Sequence, residues 1–309
     1  MPWVQRCLSE TGWGSWHPHH ILGEGAWSMA VLVQRSARQA ALLLDRPNRP
    51  MFNKPGYDSL SLYQSASAIR LACRRAGLPV ARTMGAPRAW SGGAAVLLSR
   101  VPGRDLEHML GDPSLDGFAI GTRVAKMVAA SQVLGASHKR HTHGFGAHLF
   151  GHQPPRTSSL EVWSEYIDPL RHHERVTDAL IDRLQSLAQS MLSTAPRTTQ
   201  IWDVGDRNIM LDTAGQVVGL VDQVDMFTGD PMLVPGFSLA MLGNVHGWHQ
   251  VDRYATGWRA AWDLDQEQWC RVHLHRLTCY GRFMGRRWNT RPPALTQWQS
   301  EVRQLLSGG

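Results

Sequence analysis

The stretch 199–231, TQIWDVGDRNIMLDTAGQVVGLVDQVDMFTGDP, constrains this chain more than any other. Its apolar runs, 201–211 and 217–221, are short and are joined by a polar turn, 212–216, that contains Gly215. That is the pattern of a β-hairpin. Asp203, Asn208 and Asp222 sit at the ends of these runs, and a hairpin of this length brings Asn208 and Asp222 side by side at one edge. Two oxygen donors converging there suit a hard cation such as Mg²⁺, which takes carboxylate and amide oxygens together with phosphates. Asp203, five residues before Asn208, adds a carboxylate that can accept a proton from a hydroxyl nucleophile.

The rest of the chain divides around this hairpin. Residues 20–45 read as strands, with 29–33 and 40–44 flanking the polar turn 34–39 as a hairpin. The Pro- and Gly-rich segment 46–58 reads as loop. Residues 60–76 predict a helix with Ile69, Leu71, Ala72 and Ala76 on its apolar side, stopped by Gly77 and Pro79. A further strand is expected over 94–101, ended by Pro102-Gly103. Helices are expected over 118–137, 160–193 with a break near Pro169, and 232–290. A β-rich part, 1–100, thus precedes a larger helical part, 101–309, an α+β chain with its seam near 100–104.

Charge and composition bound the partners. Lys and Arg total 32, of which only Lys54, Lys126 and Lys139 are lysine, leaving 32 − 3 = 29 arginines against 25 acids. A net charge of +7 favours anionic partners over polycations. Cys7, Cys73, Cys270 and Cys279 lie far apart with no C-x-x-C pair, which gives neither a disulfide framework nor a zinc site and fits a reducing cytoplasm. No 18-residue apolar run predicts a transmembrane helix, and the first ten residues lack the pattern of a secretory signal.

In this setting the 199–231 stretch resembles the aminoglycoside phosphotransferase family, whose members share the two-lobed protein-kinase-like fold. That family's catalytic loop, H-x-D-x-x-x-x-N, is matched by Ile201-Trp202-Asp203 and Asn208, and its I-D-F-x-D-x-x-x-G-D-P by Val221-Asp222-Gln223-Val224-Asp225 through Gly229-Asp230-Pro231. Ile21-Leu22-Gly23-Glu24-Gly25-Ala26-Trp27-Ser28 resembles the glycine-containing hairpin over the nucleotide phosphates. Val96-Leu97-Leu98-Ser99-Arg100-Val101-Pro102-Gly103 resembles the hinge where an adenine pairs with backbone, and residues 251–264 a helix that helps wall the acceptor pocket. The resemblance implies Asp203 as catalytic base and Asn208 and Asp222 as Mg²⁺ ligands. It implies ATP or GTP as co-substrate, with Gly23, Gly25, Ser28, Ser99 and Val101 as nucleotide contacts.

Departures from the pattern are specific. The catalytic-loop His, mainly a structural support in the family, is Ile201, and the Phe of D-F-x is Gln223. Leu stands where the third strand usually carries a phosphate-binding cation, and helix 60–76, which usually supplies its Glu partner, has no acid after Asp58. Arg46, just past that strand, and Lys54 are the candidates to replace the cation, with Arg46 preferred.

Other chemistries lack support. The 15 His form no H-E-x-x-H motif, and G-x-S-x-G, G-x-x-x-x-G-K-[ST] and a post-strand G-x-G-x-x-G are missing. The segment 271–300 carries Arg271, Arg276, Arg282, Arg286, Arg287 and Arg291 and no acid, and reads as a solvated helix face or a docking surface for an anionic ligand. No nucleic-acid recognition motif accompanies it. The expectation is a cytoplasmic phosphotransferase acting on a hydroxyl of a small molecule or on Ser/Thr of an acidic peptide. A catalytically inactive, pseudokinase-like binding protein and an antibiotic kinase are the alternatives.

Overall fold

The computed structural model describes residues 1–24, 28–45, 58–134, 177–201, 204–205, 207–221, 226–246, 248–284, 300, 302–303 and 305–306. Its account of Phe227, 243–246, 248–250 and 278–284 is of the backbone alone. The chain opens with helix α1 (Pro2–Glu10), which the sequence reading did not anticipate. Val4, Cys7 and Leu8, at helical spacing, are buried on one face of it. Strands β1 (His17–Glu24), β2 (Ser28–Arg35) and β3 (Arg38–Asp45) follow, then helix α2 (Ser59–Arg75) and strands β4 (Arg88–Trp90) and β5 (Gly93–Ser99).

These five strands form one antiparallel sheet in the order β1-β2-β3-β5-β4. The β2–β3 hairpin is longer than the apolar runs suggested, because Arg35 pairs with Arg38 across a turn with Ser36 at φ 53°. Alternation along the strands gives two apolar faces. The outer face, with Val31, Val33, Leu42, Leu44 and Leu97, packs against α1, Trp13 and Trp16. Arg35 and Arg88 lie over the Trp16 and Trp13 rings at 5.0 and 5.7 Å. The inner face, with Leu43, Val96 and Leu98, packs against Tyr63 and Leu60 of α2.

Helix α2 matches its expected span. Asp58 caps its first turn by accepting from the Ser61 N–H, and Gly77, at φ 79°, follows its end. Its buried face is Tyr63, Ala66, Ile69, Arg70, Ala72 and Cys73, so Leu71, 52% exposed, does not belong to it.

Beyond the sheet come β6 (Arg104–Asp105), α3 (Leu106–Leu110) and α4 (Gly117–Ser131), which runs into a 3₁₀ turn at Gln132–Leu134. Helix α5 (Asp178–Leu192) precedes β7 (Thr198–Ile201), β8 (Ile209–Leu211), β9 (Val217–Leu220) and β10 (Met226–Gly229). Helices α6 (Leu233–His246), α7 (Trp248–Ala261) and α8 (Gln266–Met284) complete the chain as described. The run 201–211 is therefore not one strand. Ile201 ends β7, which pairs with β10, while β8 starts at Ile209 and pairs with β9.

One large core joins α2–α8 with the small strands. Helices α4 and α7 approach closely through paired glycines. A Cβ on Gly121 would lie 2.1 Å from the Tyr254 carbonyl oxygen, and one on Gly257 would lie 2.2 Å from that of Phe118. No helix among the described residues is long and apolar enough to cross a membrane.

Candidate active site

The β8–β9 hairpin is the scaffold of the site. Ile209 pairs with Leu220, and the Val221 N–H donates to the Asn208 carbonyl at 2.9 Å. Its turn is built by Asp212, whose carboxylate accepts from the Ala214 and Gln216 N–H groups at 2.9 and 2.8 Å, with Gly215 at φ 71°. Asn208, half-buried, therefore stands opposite Val221, the residue that precedes Asp222. The hairpin is wedged beneath the hinge. Leu220 bridges to Val80, and a Cβ on Gly219 would fall 2.4 Å from Val101 Cγ1, so only glycine fits there. At Gly103, φ is 106° and a Cβ would meet the Leu211 carbonyl at 2.3 Å.

The second strand pair brings the other ends in. Met226 pairs with Ile201 and Phe227 with Gln200, antiparallel. Ile201 is two residues before Asp203, and Met226 is four after Asp222. Asp203, Asp222, Gly25, Arg46 and Lys54 themselves lie outside the described residues. What the fold brings together is their described neighbours: Ile201 and Val204 around Asp203, Val221 and Met226 around Asp222, and Asn208 between the two strand pairs.

The entry to the D-x-x-x-x-N loop is fixed from beneath. Ile201 and Val204 are fully buried. The Ser131 hydroxyl donates to the Val128 carbonyl at 2.6 Å and accepts from the Ile201 N–H at 2.9 Å. At the far end of the loop, the exposed Arg207 pairs with Glu107 at 2.7 Å.

On the nucleotide side, cross-strand partners share a face, so the inner face carries Ser28 opposite Asp45, Ala30 opposite Leu43 and Leu32 opposite Ala41. Val96 and Leu98 extend it on β5. Among the described residues of β2, β3 and β5 this face has no cation. Leu43 and Tyr63 share one buried cluster where the family pattern has its cation and acid. One acid does lie here: Asp45, 1% exposed, accepts from the Ala94 N–H at 2.7 Å. Burial pushes its carboxyl up, and hydrogen bonds from Ser59, Ala94 and Tyr63 offset part of that.

Gly23 lies on the exposed β1, and a Cβ there would meet nothing within 4 Å. Ser28 is 5% exposed. The Ser99 backbone N–H donates to the Arg82 carbonyl, and its hydroxyl accepts from the Arg82 N–H at 2.8 Å, so both of these hinge groups are engaged.

In its described part, 271–277, the arginine-rich segment is not a solvated face. Arg271 and Arg276 are buried, 5% and 1% exposed. His275 Nε2 and Arg271 Nε lie 2.9 and 3.8 Å from the fully buried carboxylate of Asp230, which also accepts from the Met232 N–H. Burial alone would raise the Asp230 carboxyl. The His275 hydrogen bond and charge, the Met232 N–H and Arg271 outweigh it and hold it below the usual range. The sequence reading missed this because Asp230 is some forty residues away. The side chains of Arg282, Arg286, Arg287 and Arg291 lie outside the described residues. Among the described residues no group of three or more His, Cys, Asp or Glu is arranged to hold a metal.

A five-stranded antiparallel sheet with one helix on its inner face, a hinge, and a helical part carrying two small strand pairs decide the architecture. The fold is protein-kinase-like. A thermostable mutant of the aminoglycoside phosphotransferase APH(4)-Ia, solved as a ternary complex with AMP-PNP and hygromycin B, superimposes with a TM-score of 0.61 at 17% identity, covering 99% of this chain and 98% of that one. The GDP and kanamycin complex of APH(2")-IIia gives 0.60 at 14% identity, covering 99% and 97%. A putative fructosamine-3-kinase from Thermobifida fusca gives 0.56 at 17% identity, covering 97% of each chain. No protein-family model matches the sequence, and a comparison with curated proteins finds no match. The chain is thus a divergent bearer of the protein-kinase-like fold.

Proposed function

We propose that this protein is a nucleotide-dependent phosphotransferase that moves the γ-phosphoryl group of ATP or GTP to a hydroxyl of a small molecule. The observation that carries this reading is the backbone register around the site. Ile201 opposite Met226, and Asn208 bonded to Val221, pair the described residues that flank the D-x-x-x-x-N loop with those that flank Asp222. Asn208 and Asp222 offer only oxygen donors, a set that fits Mg²⁺. When bound there, the ion would neutralise phosphate charge. Asp203 would orient the acceptor hydroxyl and take its proton, and the backbone at Val101 would pair with the base. Phosphoryl transfer asks the protein mainly for such positioning and charge stabilisation.

For the acceptor, a net charge of +7 favours a neutral or anionic hydroxyl compound over a polycationic antibiotic. The solved neighbours act on small molecules, which favours that class over a peptide. Division of the chain into a nucleotide-binding lobe, 1–100, and an acceptor lobe, 101–309, belongs to the same reading.

A second reading, a nucleotide-free binding protein, is favoured by one observation: among the described residues of β2, β3 and β5 the inner face has no cation, and Leu43 lies there in a buried cluster with Tyr63. Calorimetric titration with ATP and GTP, with and without Mg²⁺, separates the two. The phosphotransferase reading predicts binding that Mg²⁺ strengthens in the parent and not in Asp222→Ala. Absence of binding under all four conditions supports the second reading.

A further inference from the structure

Gln200 is fully buried, yet it is a polar residue in the strand that leads into the catalytic loop. Its amide is engaged at both ends. The nitrogen donates to the Pro231 carbonyl at 2.9 Å, and the oxygen accepts from Gln132 Nε2 at 2.9 Å. Gln132 begins the turn that ends α4, and Pro231 follows Asp230 at the turn into α6. One side chain therefore ties β7 to two separate elements. The neighbouring Ile201 has no side-chain polar atom, so polar fixation of the loop entry falls to Gln200 and to the Ser131 hydroxyl on the Ile201 N–H. Burying an amide is unfavourable unless its bonds are made, and an apolar residue of similar size would fill the space without that cost.

We propose that Gln200 is a positioning residue that sets the catalytic loop by bridging Gln132 and the Pro231 carbonyl. The proposal rests on the reading of Asp203 as the proton acceptor, three residues on. Gln200 touches no reacting atom and acts only through the strand.

The test uses the full chain and two variants. Gln200→Met keeps length and burial and removes both bonds. Gln200→Glu keeps the acceptor for Gln132 and removes the donor to Pro231. Hydrogen–deuterium exchange over 201–208 is followed alongside Mg²⁺-dependent hydrolysis of ATP and GTP, with water as acceptor. In Gln200→Met, exchange over 201–208 should quicken by about tenfold while α4 and α7 stay unchanged. Turnover should fall by about tenfold with the nucleotide KM within about twofold, and Gln200→Glu, which buries a carboxylate against the Pro231 carbonyl, should fall at least as far. A merely structural residue lowers thermal stability and leaves turnover per folded molecule intact. Unchanged loop exchange, or quickened exchange with unchanged turnover, overturns the proposal. If Gln200→Met does not fold, Gln132→Leu, which removes one bond at a half-buried site, must give the same pattern or the proposal fails. If the parent hydrolyses neither nucleotide, turnover is read instead with neutral and anionic hydroxyl compounds as acceptors; none with any of them sinks the phosphotransferase reading, and the exchange data alone then decide whether Gln200 fixes the loop.

Discussion

His273 offers a sharp test of the helical core. It sits on α8, edge-on to Trp269 with ring centroids 5.0 Å apart at 90°. Burial, then the charges of Arg276 and Arg259, push its imidazole down from 6.5 to about 3. Between these two values the unfolded chain holds a proton that the folded one refuses. Its contribution is complete above about pH 6.5 and is lost as the pH falls toward about 3. Each pH unit in that window costs about 1.4 kcal/mol, so about 2 kcal/mol is lost by pH 5. Carboxylates titrate mostly below that. His273→Phe keeps an aromatic ring against Trp269 and removes the proton site. Unfolding of parent and variant is followed by urea titration at pH 7, 6 and 5. The parent should lose about 2 kcal/mol more than the variant over this interval, which corresponds to about 4–8 °C in Tm. The other His residues cancel in the comparison. Parallel loss in both proteins would refute the neutral, half-buried imidazole.

Two further perturbations follow from the same packing and charge arguments. Gly257→Ala places a methyl 2.2 Å from the Phe118 carbonyl oxygen, so α4 and α7 must part; a loss of about 1–3 kcal/mol in chemical unfolding is expected, and an unchanged midpoint would contradict the close approach. Arg46→Ala should weaken nucleotide binding about ten- to hundredfold by calorimetry, as the loss of one charge-assisted bond does, with Lys54→Ala weaker in effect; parental affinity in both variants would leave the triphosphate without an anchor on this lobe.

What was legible in the sequence is what local chemistry fixes. Gly215 and Asp212 build their turn within five residues, and Gly77 ends α2 by its own backbone freedom, so both could be read from neighbours along the chain. Pairing of β7 with β10 was not legible, because Ile201 and Met226 meet only across 24 intervening positions and Ile201 reads equally well as the start of the following run. Arg271 reads as surface because its acid, Asp230, belongs to another element. Helix α1 did leave a trace in Val4, Cys7 and Leu8, but its burial depends on Trp13, Trp16 and the outer sheet face, contacts that no local pattern announces. The buried cluster that holds Leu43 and Tyr63 is a similar case: the loss of an ion pair is visible in the sequence, and the cluster is not.

The central claim is phosphoryl transfer with Asp203 as proton acceptor, and the direct measurement is release of the γ-phosphoryl group followed by ³¹P NMR. The parent and Asp203→Asn are compared at saturating Mg²⁺ with ATP and with GTP, first with water and then with a panel of neutral and anionic hydroxyl compounds. The account predicts turnover in the parent and a loss of about 10²–10⁴ in the variant, with nucleotide affinity retained. Equal turnover in a folded Asp203→Asn variant, or none in the parent with any acceptor, would contradict it.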